Sequence, residues 1–186
     1  MRCFIAIELS EEIKRVLDDI ERELKKTVTG VKWVPPENIH LTLKFLGNIE
    51  CDKTERIKEF TDNIADKRRP FAIRISSLGA FPRVEWPRVI WVGIDKGKNE
   101  CSSLAADIES QCTAVGIEKE NREFHPHLTL ARVKSLKNKN ILRNAFASIG
   151  IPQAEMLASK ITLFQSTLTS EGPIYTPLHE ATFTAT

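Results

Sequence analysis

The chain carries the same tetrapeptide twice. His40-Leu41-Thr42-Leu43 recurs as His127-Leu128-Thr129-Leu130. Only four histidines occur in the sequence, and the chance that two of them precede Leu-Thr-Leu is on the order of one in ten thousand or less at ordinary residue frequencies. The repeat therefore indicates two related halves, and it constrains the chain to a fold in which those halves are related by a pseudo-twofold axis.

Each tetrapeptide lies in a predicted strand, one from about Ile39 to Leu46 and one from about His127 to Val133. Because side chains alternate between the two faces of a strand, the histidine and threonine of each motif share one face while the leucines point to the other. A pseudo-twofold arrangement can therefore bring two imidazoles and two hydroxyls together in a single cleft.

The remaining patterns interleave helices with strands. Pro and Gly turns separate short apolar runs, and amphipathic segments lie between them. The predicted helices are Ser10 to Lys26, Asp52 to Asp66, Asn99 to Val115 and Ile141 to Phe146, and the other predicted strands are Phe4 to Ile7, Val31 to Val34, Phe71 to Leu78, Val89 to Ile94, Glu155 to Gln165 and Tyr175 to Thr184. Since several strands meet through short turns, the pattern favours an α+β fold over a doubly wound parallel sheet.

Length and composition set the wider limits. With 186 residues, 41% of them hydrophobic and 28% charged, the chain is expected to form a single domain over residues 1–186 with a substantial core. The sequence shows no signal peptide and no apolar run that could span a membrane, so we expect a cytoplasmic protein. The four cysteines lack zinc or disulfide spacing.

The formal net charge of +2 limits how the protein can bind nucleic acid. Global attraction is too weak to hold long stretches of RNA, so any contact has to be local. Two basic clusters are candidates, and a solvated surface is the alternative interpretation for each. They are Lys67-Arg68-Arg69, and the group Arg132, Lys134, Lys137, Lys139 and Arg143.

A cleft with two histidines and two threonines suits acid-base chemistry at a phosphodiester. Imidazole exchanges protons near neutral pH, and two imidazoles can act as opposed base and acid. Threonine hydroxyls can donate to an anionic oxygen. Neither motif supplies a carboxylate for a metal or a placed nucleophile, and a zinc site built from His40, His125 and His127 is the weaker alternative because it lacks a carboxylate or thiolate.

Longer segments around the motifs resemble the two-histidine phosphoesterase superfamily, and within it the RNA 2′,3′-cyclic phosphodiesterases once named 2′-5′ RNA ligases. The resemblance covers nearly the whole chain and is carried by several separate segments. They are Arg2-Cys3-Phe4-Ile5-Ala6-Ile7, residues 38–47 around the first motif, Gly79-Ala80-Phe81-Pro82, residues 88–93, residues 124–132 around the second motif, and Tyr175-Thr176-Pro177-Leu178.

The resemblance implies a bilobal α+β fold in which two mostly antiparallel sheets line a central cleft and helices cover the outer faces. It implies metal-independent opening of the cyclic phosphate to a 2′-phosphomonoester without a cofactor, with His40 as the proton donor and His127 as the proton acceptor. Thr42, Thr129 and Arg132 would bind the substrate. Strict alternation places Arg132 on the wrong face, so this role requires the strand to end or bulge after Leu130.

The expected partner is an RNA with a 2′,3′-cyclic phosphate end or a 2′,3′-cyclic nucleotide. The protein is expected to be a monomer and not to bind membranes. Two alternatives stay open. One is 2′-5′ ligation of RNA ends, and the other is a nucleotide- or RNA-binding module without catalysis. Phe4, Trp33, Phe81 and Trp91 are candidates for stacking on a base, although core packing is the favoured interpretation for each.

Overall fold

Strands and helices alternate along the chain in the computed structural model, which describes residues 1–136, 139–170 and 172–185. In chain order they are β1 (Arg2–Ile7), α1 (Glu11–Lys25), β2 (Val31–Trp33), β3 (Leu41–Asn48), α2 (Cys51–Ala65), β4 (Phe71–Phe81), β5 (Val89–Ile94), α3 (Lys98–Ala114), β6 (His127–Val133), α4 (Lys139–Ser148), β7 (Glu155–Ala158), β8 (Lys160–Leu168) and β9 (Pro173–Thr182). A short 3₁₀ turn, Pro36–Asn38, precedes β3.

The strands form two antiparallel sheets, one for each motif. The first-motif sheet has the order β3-β1-β8-β9, and the second-motif sheet has the order β2-β6-β5-β4-β7. Each sheet takes strands from both halves of the chain, since β4 joins the second-motif sheet while β8 and β9 join the first. The predicted α+β fold with two antiparallel sheets and helices on their outer faces is confirmed.

Local sequence explains how β1 and α1 form a layered pair. Ser10 caps α1 through a hydrogen bond from the Ile13 N–H to its hydroxyl (3.3 Å). The buried face of α1 and alternate residues of β1 then belong to one hydrophobic core. Those core residues are Ile13, Leu17, Ile20 and Leu24 of α1, and Cys3, Ile5 and Ile7 of β1. The intervening β1 residues therefore point to the opposite face of the sheet, which is the cleft side.

Three predicted boundaries differ from the structure. Strand β3 begins at Leu41 and runs through Gly47 and Asn48, where a turn was predicted. Strand β4 continues through Gly79 to Phe81 because the indole of Trp91 lies on Gly79, where an added Cβ would meet the ring at 2.2 Å. The strand predicted from Glu155 to Gln165 was wrong as one element, since β7 pairs with β4 and β8 pairs with β1.

A buried ion pair holds the first motif strand against α3. The ammonium of Lys44 in β3 donates to the Glu109 carboxylate (Oε1, 3.0 Å) and to the carbonyl of Glu118 (2.9 Å). The Lys44 side chain is only 5% exposed. Lys44 thus points away from the cleft.

Candidate active site

His40 lies immediately before β3, at the end of the 3₁₀ turn. Its Nδ1 is 2.9 Å from the carbonyl oxygen of Asn38, so Nδ1–H donates there and the neutral ring keeps its lone pair on Nε2. The ring stacks on Phe4, with centroids 4.6 Å apart and planes at 22°. Tyr175 packs edge-on against it at 5.2 Å. These contacts fix the ring and leave Nε2 as the nitrogen that can exchange protons.

His127 repeats this arrangement at the start of β6. Its Nδ1 is 2.6 Å from the carbonyl oxygen of His125, two residues earlier, just as His40 uses the carbonyl of Asn38. Phe81 lies perpendicular to its ring at 4.9 Å. Within the described ranges, no residue forms a hydrogen bond with Nε2 of either motif histidine. Both histidines therefore offer the same nitrogen in the same tautomer.

The surroundings of both imidazoles disfavour the charged form. Burial lowers the pKa of His40 to about 4, although the hydrogen bond to Asn38 acts in the opposite direction. Burial also lowers the pKa of His127, the bond to His125 raises it, and the positive charges of His125 and Arg132 lower it further. Both rings are therefore neutral at pH 7 until an anion arrives.

The two motif threonines accompany their histidines on the cleft side. Thr42 is half-buried and pairs with Ala6 of β1, and Thr129 is half-buried and pairs with Trp91 of β5. Neither hydroxyl forms a hydrogen bond with another side chain or backbone group in the described part of the protein. Both hydroxyls can therefore donate to a bound anion.

Arg132 reaches the cleft side through a β-bulge in β6. Ile90 of β5 pairs with Ala131 and Trp91 pairs with Thr129, so Leu130 is the extra residue. Leu130 and Ala131 are consequently both buried, and Arg132 is exposed on the face that carries His127 and Thr129. A bulge, one of the two conditions under which Arg132 could bind substrate, is therefore present, while the substrate-binding role itself stays a prediction.

Phe45 is a cleft-side residue that the sequence-based prediction missed. A matching bulge in β3 makes Leu43 the extra residue, because Lys44 pairs with Ile5 and Thr42 with Ala6. Phe45 then pairs with Phe4 on the cleft side, where 59% of its surface is exposed. Phe45 follows His40 by the same interval as Arg132 follows His127, so the two related positions carry an aromatic ring and a cation.

Tyr175 connects the two motif sites. It packs against His40, as described above. Burial raises the pKa of the Tyr175 hydroxyl, and the positive charges of Arg132 and Arg2 act in the opposite direction. Arg132 exerts the same influence on His127. Strands β3 and β6 also contact each other directly. Tyr175 thus contacts His40, and the charge of Arg132 acts both on Tyr175 and on His127.

The remaining aromatic candidates occupy supporting positions. Phe4 is 3% exposed and lies beneath His40, and Trp33 packs on the core next to Lys25. Phe81 and Trp91 are half-buried beside His127, with 5.0 Å between their ring centroids. Core packing, the favoured interpretation, therefore holds for Trp33 in the main core and for Phe4 in the small cluster beneath His40. Phe81 and Trp91 instead flank His127, and stacking of a base on either ring stays a prediction.

The two basic clusters lie in different surroundings. Lys67, Arg68 and Arg69 line an open surface cavity of about 590 Å³ at the end of α2, where Arg68 pairs with Asp107. In the second cluster Arg143 pairs with Glu85. Lys137 lies outside the described residues. Arg132 is the member of these clusters whose charge acts on a motif histidine.

The metal alternative finds no support in the donor geometry. No group of three or more His, Cys, Asp or Glu side chains in residues 1–136, 139–170 and 172–185 is arranged to hold a metal ion. His125 is exposed, with its Nε2 3.8 Å from the Glu123 carboxylate.

The helices were expected to be too short or too polar to cross a membrane. Among the described helices, none is both long and apolar enough to span a bilayer.

Comparison with known proteins assigns the family. The model of the LigT-like phosphoesterases matches residues 7–91 and again residues 92–175, one match for each motif. The chain belongs to this family. The RNA 2′,3′-cyclic phosphodiesterase of Aquifex aeolicus is 39% identical over 97% of this chain and 96% of its own length. The enzyme of the same name from Methanocaldococcus jannaschii is 35% identical over 97% of this chain and 99% of its own.

Solved structures show the same architecture. A Thermus thermophilus protein superposes with a TM-score of 0.82 at 27% identity, covering 99% of this chain and 98% of its own. Escherichia coli LigT in complex with 3′-AMP superposes with a TM-score of 0.77 at 26% identity, with the same coverage.

Proposed function

We propose that this protein hydrolyses 2′,3′-cyclic phosphodiester ends of RNA to 2′-phosphomonoesters, without a metal, through His40 and His127. The observation that carries the proposal is the matched geometry of the two imidazoles, each bonded through Nδ1 to the carbonyl two residues earlier and each presenting Nε2. The relatives named as RNA 2′,3′-cyclic phosphodiesterases support the substrate class. Residues 1–186 would act as a single bilobal domain, as a monomer and in the cytoplasm.

The asymmetry between Phe45 and Arg132 supports the proposed roles of His40 as acid and His127 as base. A nucleobase can stack on the exposed ring of Phe45, and one such stacking contact contributes about 1 to 3 kcal/mol to binding. The ribose and its 3′ oxygen then lie on the His40 side, so His40 protonates the departing 3′ oxygen. His127, on the opposite side of phosphorus, removes the proton from the attacking water.

The other site residues bind the phosphate. The guanidinium of Arg132 suits two oxygens of one phosphate at once, and the hydroxyls of Thr42 and Thr129 donate to the non-bridging oxygens. The negative charge on the phosphate oxygens favours the imidazolium form of a nearby histidine. Substrate binding therefore raises the lowered pKa of His40, which allows His40 to act as the acid.

The activity is tested by incubating the protein, with EDTA present, with a 2′,3′-cyclic nucleotide and with an RNA that ends in a cyclic phosphate. We expect the 2′-phosphomonoester as the product in both cases. A 3′-phosphomonoester would contradict the departure of the 3′ oxygen, and full inhibition by EDTA would contradict metal independence. Tight nucleotide binding without turnover would favour the non-catalytic module, and a longer RNA formed with a 5′-hydroxyl partner would favour ligation.

The lowered pKa values of His40 and His127 predict that the pH profiles of kcat/KM and of kcat lie at clearly different pH. At pH 7 a histidine of pKa about 4 is protonated in on the order of one molecule in a thousand. The profile of kcat/KM reports the free enzyme, so both limbs of its bell are expected below pH 6.5. The profile of kcat reports the bound complex and is expected at higher pH. A kcat/KM optimum at or above pH 7 would contradict the burial of the histidines.

Phe45→Ala tests the base platform. Loss of one stacking contact is expected to lower kcat/KM on a cyclic nucleotide by about tenfold or more, mainly through KM. Phe45→Trp keeps a stacking surface and should retain most of the activity. Equal losses in the two variants, measured by steady-state kinetics, would remove Phe45 from the site.

A further inference from the structure

Arg2 is an exposed cation on the cleft side of β1. The alternate residues Cys3, Ile5 and Ile7 are at most 1% exposed and belong to the main core. Phe4 and Ala6 form a separate small cluster on the opposite face, and strand alternation places Arg2 on that same face. Its side chain therefore projects toward the cleft, about 13 Å along the strand from Ala6, which pairs with Thr42.

The surroundings of Arg2 place it near Phe45, the residue proposed to stack on the nucleobase. It pairs with Asn48 of β3, one row past the pair formed by Phe4 and Phe45. On its other side the registers of β8 and β9 align Ser166 with Tyr175, next to the pairing of Cys3 with Gln165. Arg2 thus lies past Phe45, the proposed stacking partner of the base, on the side away from Thr42.

No acidic group neutralises Arg2. It forms no ion pair with any residue in the described part of the chain, whereas Arg22, Arg68, Arg74, Arg122 and Arg143 all do. Its charge acts on the hydroxyl of Tyr175, which Arg132 influences from the other sheet. The charges of two arginines therefore act on Tyr175, and one of them, Arg132, is proposed to bind the reacting phosphate.

We infer that Arg2, with the hydroxyl of Tyr175, binds the phosphodiester on the 5′ side of the terminal nucleotide. The inference rests on the proposed function and names its substrate class more narrowly, as a nucleic acid end rather than a free cyclic nucleoside phosphate. A nucleotide whose base stacks on Phe45 and whose cyclic phosphate reaches Arg132 has one remaining anionic group, its 5′ phosphate. Arg2 supplies the unpaired charge on the side where that group leaves the site.

The test compares a nucleoside 2′,3′-cyclic phosphate with the same compound carrying a 5′-phosphate. We expect the unaltered protein to show a higher kcat/KM on the 5′-phosphorylated substrate, by about tenfold for one charge-assisted contact. Arg2→Met should bring the ratio close to one while leaving kcat/KM on the unphosphorylated substrate within about twofold, and Arg2→Lys should keep part of the preference.

The matched control is Arg56→Met, which removes the same charge from an exposed position of α2, a helix whose buried face joins the main core. This variant should keep the full preference. A preference that survives in Arg2→Met, or falls equally in Arg2→Met and Arg56→Met, would overturn the subsite. Hydrolysis of both substrates without any preference rejects the subsite alone, whereas hydrolysis of neither by the unaltered protein rejects the proposed function and the subsite with it.

Discussion

His40→Ala and His127→Ala are each expected to lower kcat on a 2′,3′-cyclic nucleotide by about 10²- to 10⁴-fold, the range of a lost general acid or base. The fold should survive, because each ring is half-buried on the cleft side and the main core lies on the other faces of the sheets. Affinity for a 2′-nucleotide should fall much less than kcat. Steady-state kinetics and a binding titration on the same samples separate the two effects.

His125→Ala is the matched control for the histidine variants. His125 is exposed and two residues from His127; its backbone carbonyl accepts the hydrogen bond of the catalytic ring, and its side chain acts on that ring only through charge, which lowers the pKa of His127. Its substitution should change kcat by no more than about threefold, since the backbone bond is kept. The double variant of His40 and His127 should be little worse than either single one, because groups that act as a unit are not additive. Near-normal turnover in either single variant would rule out the two-histidine mechanism.

Arg132→Met is expected to lower kcat/KM by about 10²- to 10³-fold, comparable to the loss of one preorganised donor to a transition-state oxyanion. Lysine keeps the charge but cannot form the two-pronged contact, so Arg132→Lys should recover only part of the loss. Because the charge of Arg132 also lowers the pKa of His127, the methionine variant should move one limb of the kcat/KM profile to higher pH.

Arg56→Met again provides the control for charge alone, since it removes a cation from an exposed position of α2. Kinetics measured across pH for the three variants decides the role of Arg132. Full activity in Arg132→Lys with an unchanged pH profile would reduce the guanidinium to a general surface charge.

The tetrapeptide repeat predicted the cleft chemistry because period-two alternation needs only local sequence. The repeat predicted that each histidine and its threonine share one face of their strand, and they do so in the structure. The bulge at Leu130 was foreseen only because a role for Arg132 demanded it. The equivalent bulge at Leu43 was not predicted. Without that bulge, strict alternation along the strand would place Phe45 on the core face. The shared spacing from each histidine was the signal that could have revealed it.

Contacts between segments that are distant in the sequence could not be predicted from local patterns. Tyr175 reaches His40 because β9 lies in the first-motif sheet, and no spacing rule predicts that β8 and β9 return to the sheet of β1. The division of the run from Glu155 to Gln165 has the same cause. Strands β7 and β8 follow each other in the sequence but pair with strands of different sheets. A continuous apolar pattern does not show where the chain passes from one sheet to the other.

The central claim is that two imidazoles from separate sheets act on one phosphorus atom. A crystal structure of the protein with a bound 2′-nucleotide product tests it most directly. We predict that Nε2 of His127 lies within hydrogen-bond distance of an oxygen on the 2′-phosphate, and that Nε2 of His40 lies within the same distance of the ribose 3′ oxygen. A phosphate held by only one of the two histidines, with the other ring directed elsewhere, would contradict the mechanism.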